Sequence, residues 1–211
     1  MSDFVNTVDS IGDEVLTSSI VNRSITEIRD NYVTSIGMYA FCGCSNLAAV
    51  DFPVVTSIGG SAFDSCSALT TVNFPAVAKV GQFVFKDCSA LTTVDFPAAT
   101  SIGMAAFQSC TALTSADFSA VVTNIDNTAF QTCTKLTALI LRSSTMATLS
   151  SVTALNNTPI KSGTGYIYVP AALVDSYKAA NNWSTYANQF RALEDYTVDG
   201  TTTGALDESK I

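Results

Sequence analysis

The sequence contains no histidine among its 211 residues. Catalytic arrangements built on Ser-His-Asp or Cys-His pairs are therefore impossible, and imidazole ligands for a metal are excluded. Adjacent carboxylates do occur, at residues 13–14, 194–195 and 207–208. No converging polar motif lies near them, so we interpret them as surface charge rather than acid–base catalysts. The sequence predicts no catalytic residue, no cofactor and no metal site, and hence no enzyme.

Charged residues are also scarce, at 13% of the chain, and the net charge is −8. This acidic balance opposes binding to nucleic acids and to anionic membrane surfaces. No run of about 18 apolar residues occurs, so membrane insertion is not predicted. The N-terminus shows no basic segment followed by an apolar stretch, so no signal peptide is visible. The apolar fraction of 47% instead predicts a densely packed interior.

Internal repetition is the strongest feature of the sequence. An offset of 22 residues aligns Ser35-Ile-Gly with Ser57-Ile-Gly, and the same apolar skeleton continues through five units, the fifth with one inserted residue. A fixed period in the twenties is typical of a solenoid, because one unit cannot fold alone and must stack on its neighbours. The recurring positions are Ile36, Ile58, Val80, Ile102 and Ile125; Phe41, Phe63, Phe85, Phe107 and Phe130; and Leu47, Leu69, Leu91, Leu113 and Leu136.

The residue pattern within each unit predicts one strand and one bend. The run from Leu69 to Pro75 is rich in β-branched and aromatic residues, which favours a strand that ends at the proline. The stretch from Gly59 to Cys66 favours a single helical or 3₁₀ turn rather than a full helix. The fold class is therefore predicted as an α/β repeat solenoid, a leucine-rich-repeat-like right-handed coil of about 22-residue units.

Three parts are predicted along the chain. Residues 1–32 form an N-terminal cap with a degenerate repeat, in which Ile25 and Ile28 take the Leu47 and Val50 positions. Residues 33–142 hold five leucine-rich repeats, and residues 143–211 form a small α/β C-terminal capping module, because a solenoid needs capped ends.

The predicted C-terminal module begins with a strand over residues 165–170 and a helix over 171–180. A second short helix is expected to be capped by Ser184 and to contain Tyr186 and Phe190, and residues 195–211 are expected to form a hairpin-like or loose end. Three amphipathic aromatic residues of this module are interpreted as packing within the cap, with a contact surface as the alternative: Tyr177, Trp183 and Tyr186.

Five of the six cysteines recur in the same slot of successive units, which a disulfide framework or a zinc site would not require. We interpret them as a buried apolar column. Cys42 is the additional cysteine. It is expected to be a partly exposed thiol, with a redox or soft-metal pair with Cys44 as the alternative. The recurring cysteines are Cys44, Cys66, Cys88, Cys110 and Cys133.

The candidate binding residues lie at outward positions of the predicted strands, in two rows with a spacing of about 5 Å. An acidic row can hold cations or the basic side chains of a partner, but neighbouring like charges repel unless something neutralises them. A hydrated face that keeps the chain soluble is the alternative. The predicted ligand-binding residues are Asp51, Asn73, Asp95 and Asp117 in one row, and Thr71 and Thr93 in the other.

The repeated pattern Ser-Ile-Gly-x-x-Ala-Phe-x-x-Cys-x-x-Leu-x-x-Val-x-Phe-Pro, over about residues 33–141, resembles the BspA-like, Treponema-type leucine-rich repeats of bacterial surface proteins. The resemblance implies a non-enzymatic, adhesion-type surface that recognises a protein or glycan ligand on a cell, and a bacterial surface location. Because no signal sequence is visible, a structural or receptor-binding component of a phage virion or other bacterial assembly is the alternative. In that case the caps are expected to mediate oligomerisation.

Overall fold

A computed structural model describes residues 25–118, 121–195, 197–198 and 201–202 of the chain. Over most of this length the backbone repeats the same course about every 22 residues, and we call each of these repeats a pass. Side chains one pass apart contact the neighbouring pass. Each pass contributes one strand to a front sheet and a two-residue strand to a side sheet. The strands of successive passes pair in parallel, with residues one repeat apart in register. The predicted repeat fold with parallel strands is confirmed.

The regular elements have the following bounds. The front sheet has two hydrogen-bonded parts: the first contains Glu27–Arg29, Ala49–Asp51 and Thr71–Asn73, and the second contains Thr93–Asp95, Ser115–Phe118, Ala138–Leu141, Tyr166–Val169 and Phe190–Ala192. The side sheet is divided at the same place, into Ser35–Ile36 and Ser57–Ile58, and into Lys79–Val80, Ser101–Ile102, Asn124–Ile125 and Thr148–Leu149. The α-helices are Pro159–Ser162 and Val174–Ala179, and the 3₁₀ segments are Val152–Leu155, Ala171–Leu173, Trp183–Gln189 and Leu193–Asp195. Thr197–Val198 and Thr201–Thr202 form an antiparallel pair.

The core consists of columns of identical side chains. In the column from Phe41 to Phe130, neighbouring rings are nearly parallel and their centroids lie 5.1 to 5.5 Å apart. A second column contains Phe52, Phe74 and Phe96, with centroids 5.8 and 6.3 Å apart. The predicted leucine and cysteine columns are buried beside them. The repeat period of the sequence therefore matches the pattern of buried side chains, because every pass offers the next one the same apolar surface.

Serine and threonine hydroxyls link successive passes. The Thr70 hydroxyl donates a hydrogen bond of 3.0 Å to the carbonyl of Ala48, one repeat earlier, and Thr100 does the same to Ala78. The backbone amides of Thr70 and Thr100 donate to the same two carbonyls, so each hydroxyl adds a second hydrogen bond to the link between passes. The other donors of this kind are Thr56, Ser89, Thr111, Thr114, Thr123, Thr134 and Thr137.

The bend over residues 59–66 differs from the predicted helical turn. The amide of Asp64 donates to the carbonyl of Ser61 within the same pass, at 3.2 Å, whereas the amide of Phe63 donates to Val84 of the next pass, at 2.9 Å. Donors therefore alternate between local and inter-pass partners. This alternation places Ser61 in the left-handed region, with a φ of 56°. A helix would use every donor locally and leave the next pass unbonded.

The described ends of the chain continue the front sheet. Ile28 pairs with Val50, as predicted, whereas residues 1–24 of the predicted N-terminal cap lie outside the described residues. The predicted strand and first helix of the C-terminal module are present. The second predicted helix is present as the 3₁₀ segment Trp183–Gln189, but its cap is Asn182 rather than Ser184, and Phe190 begins a strand that pairs with Tyr166–Val169. The three-part division of the chain stays a prediction.

Candidate binding surface

The candidate site is the outward side of the front sheet, which we call the front face. Alternation along each strand buries Val50, Val94 and Ala116 and turns their neighbours outward. The predicted binding residues all lie on this face. Asn73, Asp95, Thr71 and Thr93 are exposed, and Asp51 and Asp117 are partly buried.

The first predicted row is in register between passes. Asp51 pairs with Asn73, and Asp95 pairs with Asp117. In the second row, Thr71 lies opposite Ala49 and Thr93 opposite Ser115. The structure extends the first row at both ends, to Arg29 beside Asp51 and to Ile140, Tyr168 and Arg191 beyond Asp117. The row therefore changes from polar to aromatic along the face.

Two of the predicted acidic residues have polar partners on the face. The amide of Asn73 donates a hydrogen bond of 2.7 Å to Asp51. Arg142 donates to both carboxylate oxygens of Asp117, at 2.9 and 2.7 Å, in a partly buried bidentate pair. Such partners relieve the repulsion expected along an acidic row. Within the described residues, no group of three or more acidic or cysteine side chains is placed to hold a metal ion.

The last part of the front face has a different chemistry. Ala138 and Ile140 are buried although they lie outside the main apolar core. The rings of Tyr166 and Tyr168 follow, with centroids 6.3 Å apart and planes at 70°. The Arg191 guanidinium lies 4.4 Å from the centroid of the Tyr166 ring, in a cation–π contact. We call the group of Asp117, Ile140, Arg142, Tyr166, Tyr168 and Arg191 the aromatic end.

Asp117 is the one residue of the aromatic end that was predicted from the sequence as a binding residue. Arg142 lies two positions after Ile140, so strand alternation was a usable signal that they share a face. Tyr166 and Tyr168 alternate within a predicted strand, which indicates that both point to the same side. No local signal identified Arg191, because its strand was predicted to belong to a helix.

The cysteine column is buried, as predicted, and its thiols are also hydrogen-bonded. The Cys66 sulfur lies 3.1 Å from the carbonyl oxygen of Phe41 and donates to it. Burial raises the pKa of the Cys66 thiol to about 12, and it raises the pKa values of Cys88 and Cys110 as well. These thiols are therefore unreactive at neutral pH. Cys42 is partly exposed, and none of the six cysteines forms a disulfide. The same hydrogen bond recurs at Cys88, Cys110 and Cys133.

The aromatic residues of the C-terminal module are buried, in agreement with their predicted packing role. The indole nitrogen of Trp183 donates to the Ala147 carbonyl at 2.8 Å, and the hydroxyl of Tyr177 accepts from the Ala147 amide at 2.8 Å. The Tyr186 hydroxyl donates to the carbonyl of Val152 at 2.6 Å. These bonds satisfy backbone groups next to Thr148–Leu149, the last strand of the side sheet, and so protect its edge.

Among the described residues, no helix has the length and apolar character needed to cross a membrane.

Comparison with protein-family models gives one match, to the BspA type leucine rich repeat region. Six copies of the repeat match, over residues 9–137 and 56–165. This range begins within residues 1–32, which were predicted to contain a degenerate repeat. No curated protein matches the chain.

Solved structures that resemble the chain are also leucine-rich repeat proteins. A T. pallidum leucine-rich repeat protein is 19% identical, with a TM-score of 0.54 over 79% of this chain and 85% of that protein. A Bacteroides ovatus leucine-rich repeat protein is 23% identical, with a TM-score of 0.43, covering 69% of this chain and 52% of its own. A Faecalibacterium prausnitzii leucine-rich cell surface protein is 23% identical, with a TM-score of 0.48, covering 78% of this chain and 35% of its own. At these identities the likeness concerns the fold alone.

Proposed function

The chain belongs to the BspA type leucine-rich repeat family, and from this premise we propose that it is a non-enzymatic binding module. Its front face recognises a protein or a glycan on a cell surface, in an adhesion-type role. The observation that carries the proposal is the set of contacts that hold polar and aromatic side chains in place across that face. Repeat solenoids use extended surfaces of this kind for recognition.

Preorganisation supports a binding role. Asp117 is held by Arg142, and Tyr166 lies under Arg191. Asp51 accepts a hydrogen bond from Asn73. Side chains that are already ordered lose less conformational entropy when a ligand arrives, so more of the contact energy appears as affinity.

The composition and dimensions of the face also suit recognition. Tyrosine and arginine are the residue types enriched in binding hot spots, and Tyr166, Tyr168 and Arg191 lie on neighbouring strands. Parallel strands are about 4.8 Å apart, so the face from Glu27–Arg29 to Phe190–Ala192 is roughly 34 Å long. A protein surface or an oligosaccharide chain fits along it.

A matched pair of variants tests the proposal. Thr71 and Ser57 are both exposed strand residues of the same pass, but Thr71 lies on the front face and Ser57 on the side sheet. The full chain is first screened against arrays of immobilised matrix proteins and glycans. We expect Thr71→Lys to weaken binding to the captured ligand at least tenfold and Ser57→Lys to leave it within twofold.

Light scattering and circular dichroism accompany the binding assay, to show that both variants keep the mass and fold of the parent. Equal binding by Thr71→Lys and Ser57→Lys, or loss only in Ser57→Lys, would place recognition elsewhere. A defined oligomer that binds no array member would favour an assembly role instead.

A further inference from the structure

We propose that the aromatic end of the front face is a subsite for the sugar rings of a neutral glycan. This inference rests on the proposed binding function of the front face and names its ligand class. It is drawn from the chemistry, charge and packing of the six residues that form the aromatic end.

The chemistry of the cluster matches a pyranose ring. Such a ring has one apolar C–H face and a rim of hydroxyl groups. Tyr166 and Tyr168 are both partly buried and combine an aromatic ring with a polar hydroxyl, which suits partly apolar and partly polar ligands; Arg191 covers one face of Tyr166 and adds guanidinium donors beside it. The Asp117–Arg142 pair places acceptor oxygens next to guanidinium donors, 2.7 and 2.9 Å apart. A sugar hydroxyl can donate to the carboxylate while its neighbour accepts from the guanidinium.

The charges favour a neutral ligand over an acidic one. Arg142 is paired with Asp117, and Arg191 is placed against the ring of Tyr166. Two exposed carboxylates, Glu194 and Asp195, lie three and four positions after Arg191 along the chain. The whole chain carries a net charge of −8, which repels polyanions. A neutral polysaccharide meets no such repulsion.

The packing of the cluster favours a ligand of defined shape. Ile140 lies in register between Asp117 and Tyr168 and is only 2% exposed, although it is on the outward side of the sheet. The side chains around it are therefore packed together rather than extended into solvent. Arg191 also donates to the carbonyls of Asn188 and Phe190, at 2.9 and 2.7 Å, which fixes its guanidinium.

The span of the cluster suits a short oligosaccharide. Asp117 and Tyr168 are two strand spacings apart, or about 10 Å, which is comparable to two linked hexoses. The polar rows of Asp51, Asn73 and Thr71 continue the face beyond the cluster, so further sugar units have hydrogen-bonding groups to follow.

Affinity gel electrophoresis of the full chain tests this inference, because it detects weak polysaccharide binding. The neutral probes are mannan, laminarin and galactan, and the acidic probes are polygalacturonate and heparin. We expect at least one neutral probe to retard the protein and neither acidic probe to do so. Tyr168→Ala is expected to raise the dissociation constant for that neutral probe at least tenfold.

Two further variants separate recognition from folding. Tyr168→Phe keeps the aromatic ring and is expected to bind within twofold of the parent. Ser57→Ala, at an exposed residue of the side sheet and so off the front face, is the control and is expected to bind normally. Thermal melting of each variant is compared with the parent, and the ring-preserving variant keeps the test valid if Tyr168→Ala is poorly folded.

Retardation by acidic probes alone, or by no neutral probe, would overturn the inference, as would equal binding by Tyr168→Ala and Ser57→Ala. Its failure is distinguishable from failure of the proposed function. A protein ligand that is lost in Thr71→Lys and bound by Tyr168→Ala leaves the front face as a binding surface and removes only the sugar subsite. A ligand insensitive to both variants removes both.

Discussion

Deletion of one whole pass of the repeat, residues 79–100, is expected to leave a folded protein. The deletion joins Ala78 to Ser101, and Ser101 then takes the place of Lys79 beside Ser57 in the side sheet. In the present structure Lys79 pairs with Ser101, and Ser35 pairs with Ser57, so each of these residues occupies the same position in its pass. Stacking is preserved because every pass presents the same surface to the next.

The cost of this deletion is one pass and one interface between passes. A domain of this kind has a free energy of unfolding of about 5–15 kcal/mol, and six repeat copies match the family model. Each pass therefore contributes about 1–2.5 kcal/mol if the passes are similar. A loss of that size lowers the unfolding midpoint by roughly 2–10 °C in a domain of 150 to 250 residues.

Two comparison variants should behave differently. Deletion of residues 79–89 removes half as much chain but shifts every later phenylalanine and leucine out of its column. Leu91→Asp keeps the length but places a carboxyl group at a position with 0% exposure. Loss of a buried leucine side chain alone costs about 2–5 kcal/mol, and burial of an unpaired polar group adds to it. Both variants are expected to be largely unfolded.

Thermal melting followed by circular dichroism, together with urea denaturation, checks this ranking. Leu91→Met serves as the control for Leu91→Asp, because it keeps the volume and apolar character of the side chain. If the whole-pass deletion is as damaging as the half-pass deletion or as Leu91→Asp, register-preserving stacking is not what stabilises the chain.

Three further outcomes follow from individual contacts. Tyr186→Phe leaves the Val152 carbonyl without its 2.6 Å donor and should lower the free energy of unfolding, measured by urea denaturation, by about 1–3 kcal/mol. The control Tyr32→Phe, at a residue 77% exposed, should leave that free energy unchanged. The contribution of the Cys66 thiol to stability should be constant below about pH 8 and be lost as the pH rises from 9 toward 12, because its pKa is raised from 9.0 to about 12 in the folded chain and unfolded thiols ionise first. A urea midpoint unchanged between pH 8 and pH 11 would contradict this. Arg142→Ala leaves Asp117 beside Asp95 without its bidentate partner and should lower the free energy of unfolding by about 1 kcal/mol. Adding Asp117→Asn, or raising the salt concentration, should restore part of this loss. If neither restores stability, the pair has no electrostatic role.

The buried columns were predictable because their periodicity is local information. Phe63, Cys66 and Leu69 recur at the same spacing in each unit, and a side chain that stacks on its own copy must be either buried everywhere or exposed everywhere. The bend over residues 59–66 was not predictable in the same way. Its backbone donors alternate between local and inter-pass acceptors. The sequence of one unit does not indicate that carbonyls of the next pass will accept half of these bonds.

The front face was partly predictable for the same reason. Strand alternation and the repeat period together place Asp51, Asn73 and Thr71 on one side. The aromatic end departs from the period: Ile140 and Tyr168 are in register but 28 residues apart, with the helix Pro159–Ser162 between them. Because this connection is longer than one repeat, the repeat period does not predict which residues on its two sides are in register.

The sequence by itself determined the repeat, the identity of the core columns and the face on which the polar rows lie, because each depends only on a period and on the alternation of strand residues. The tertiary structure decided which side chains become partners across passes. It paired Asp117 with Arg142, placed Arg191 over Tyr166 and used Trp183, Tyr177 and Tyr186 to satisfy the edge of the side sheet. These contacts join residues separated by irregular connections, so only the stacked passes bring them within bonding distance.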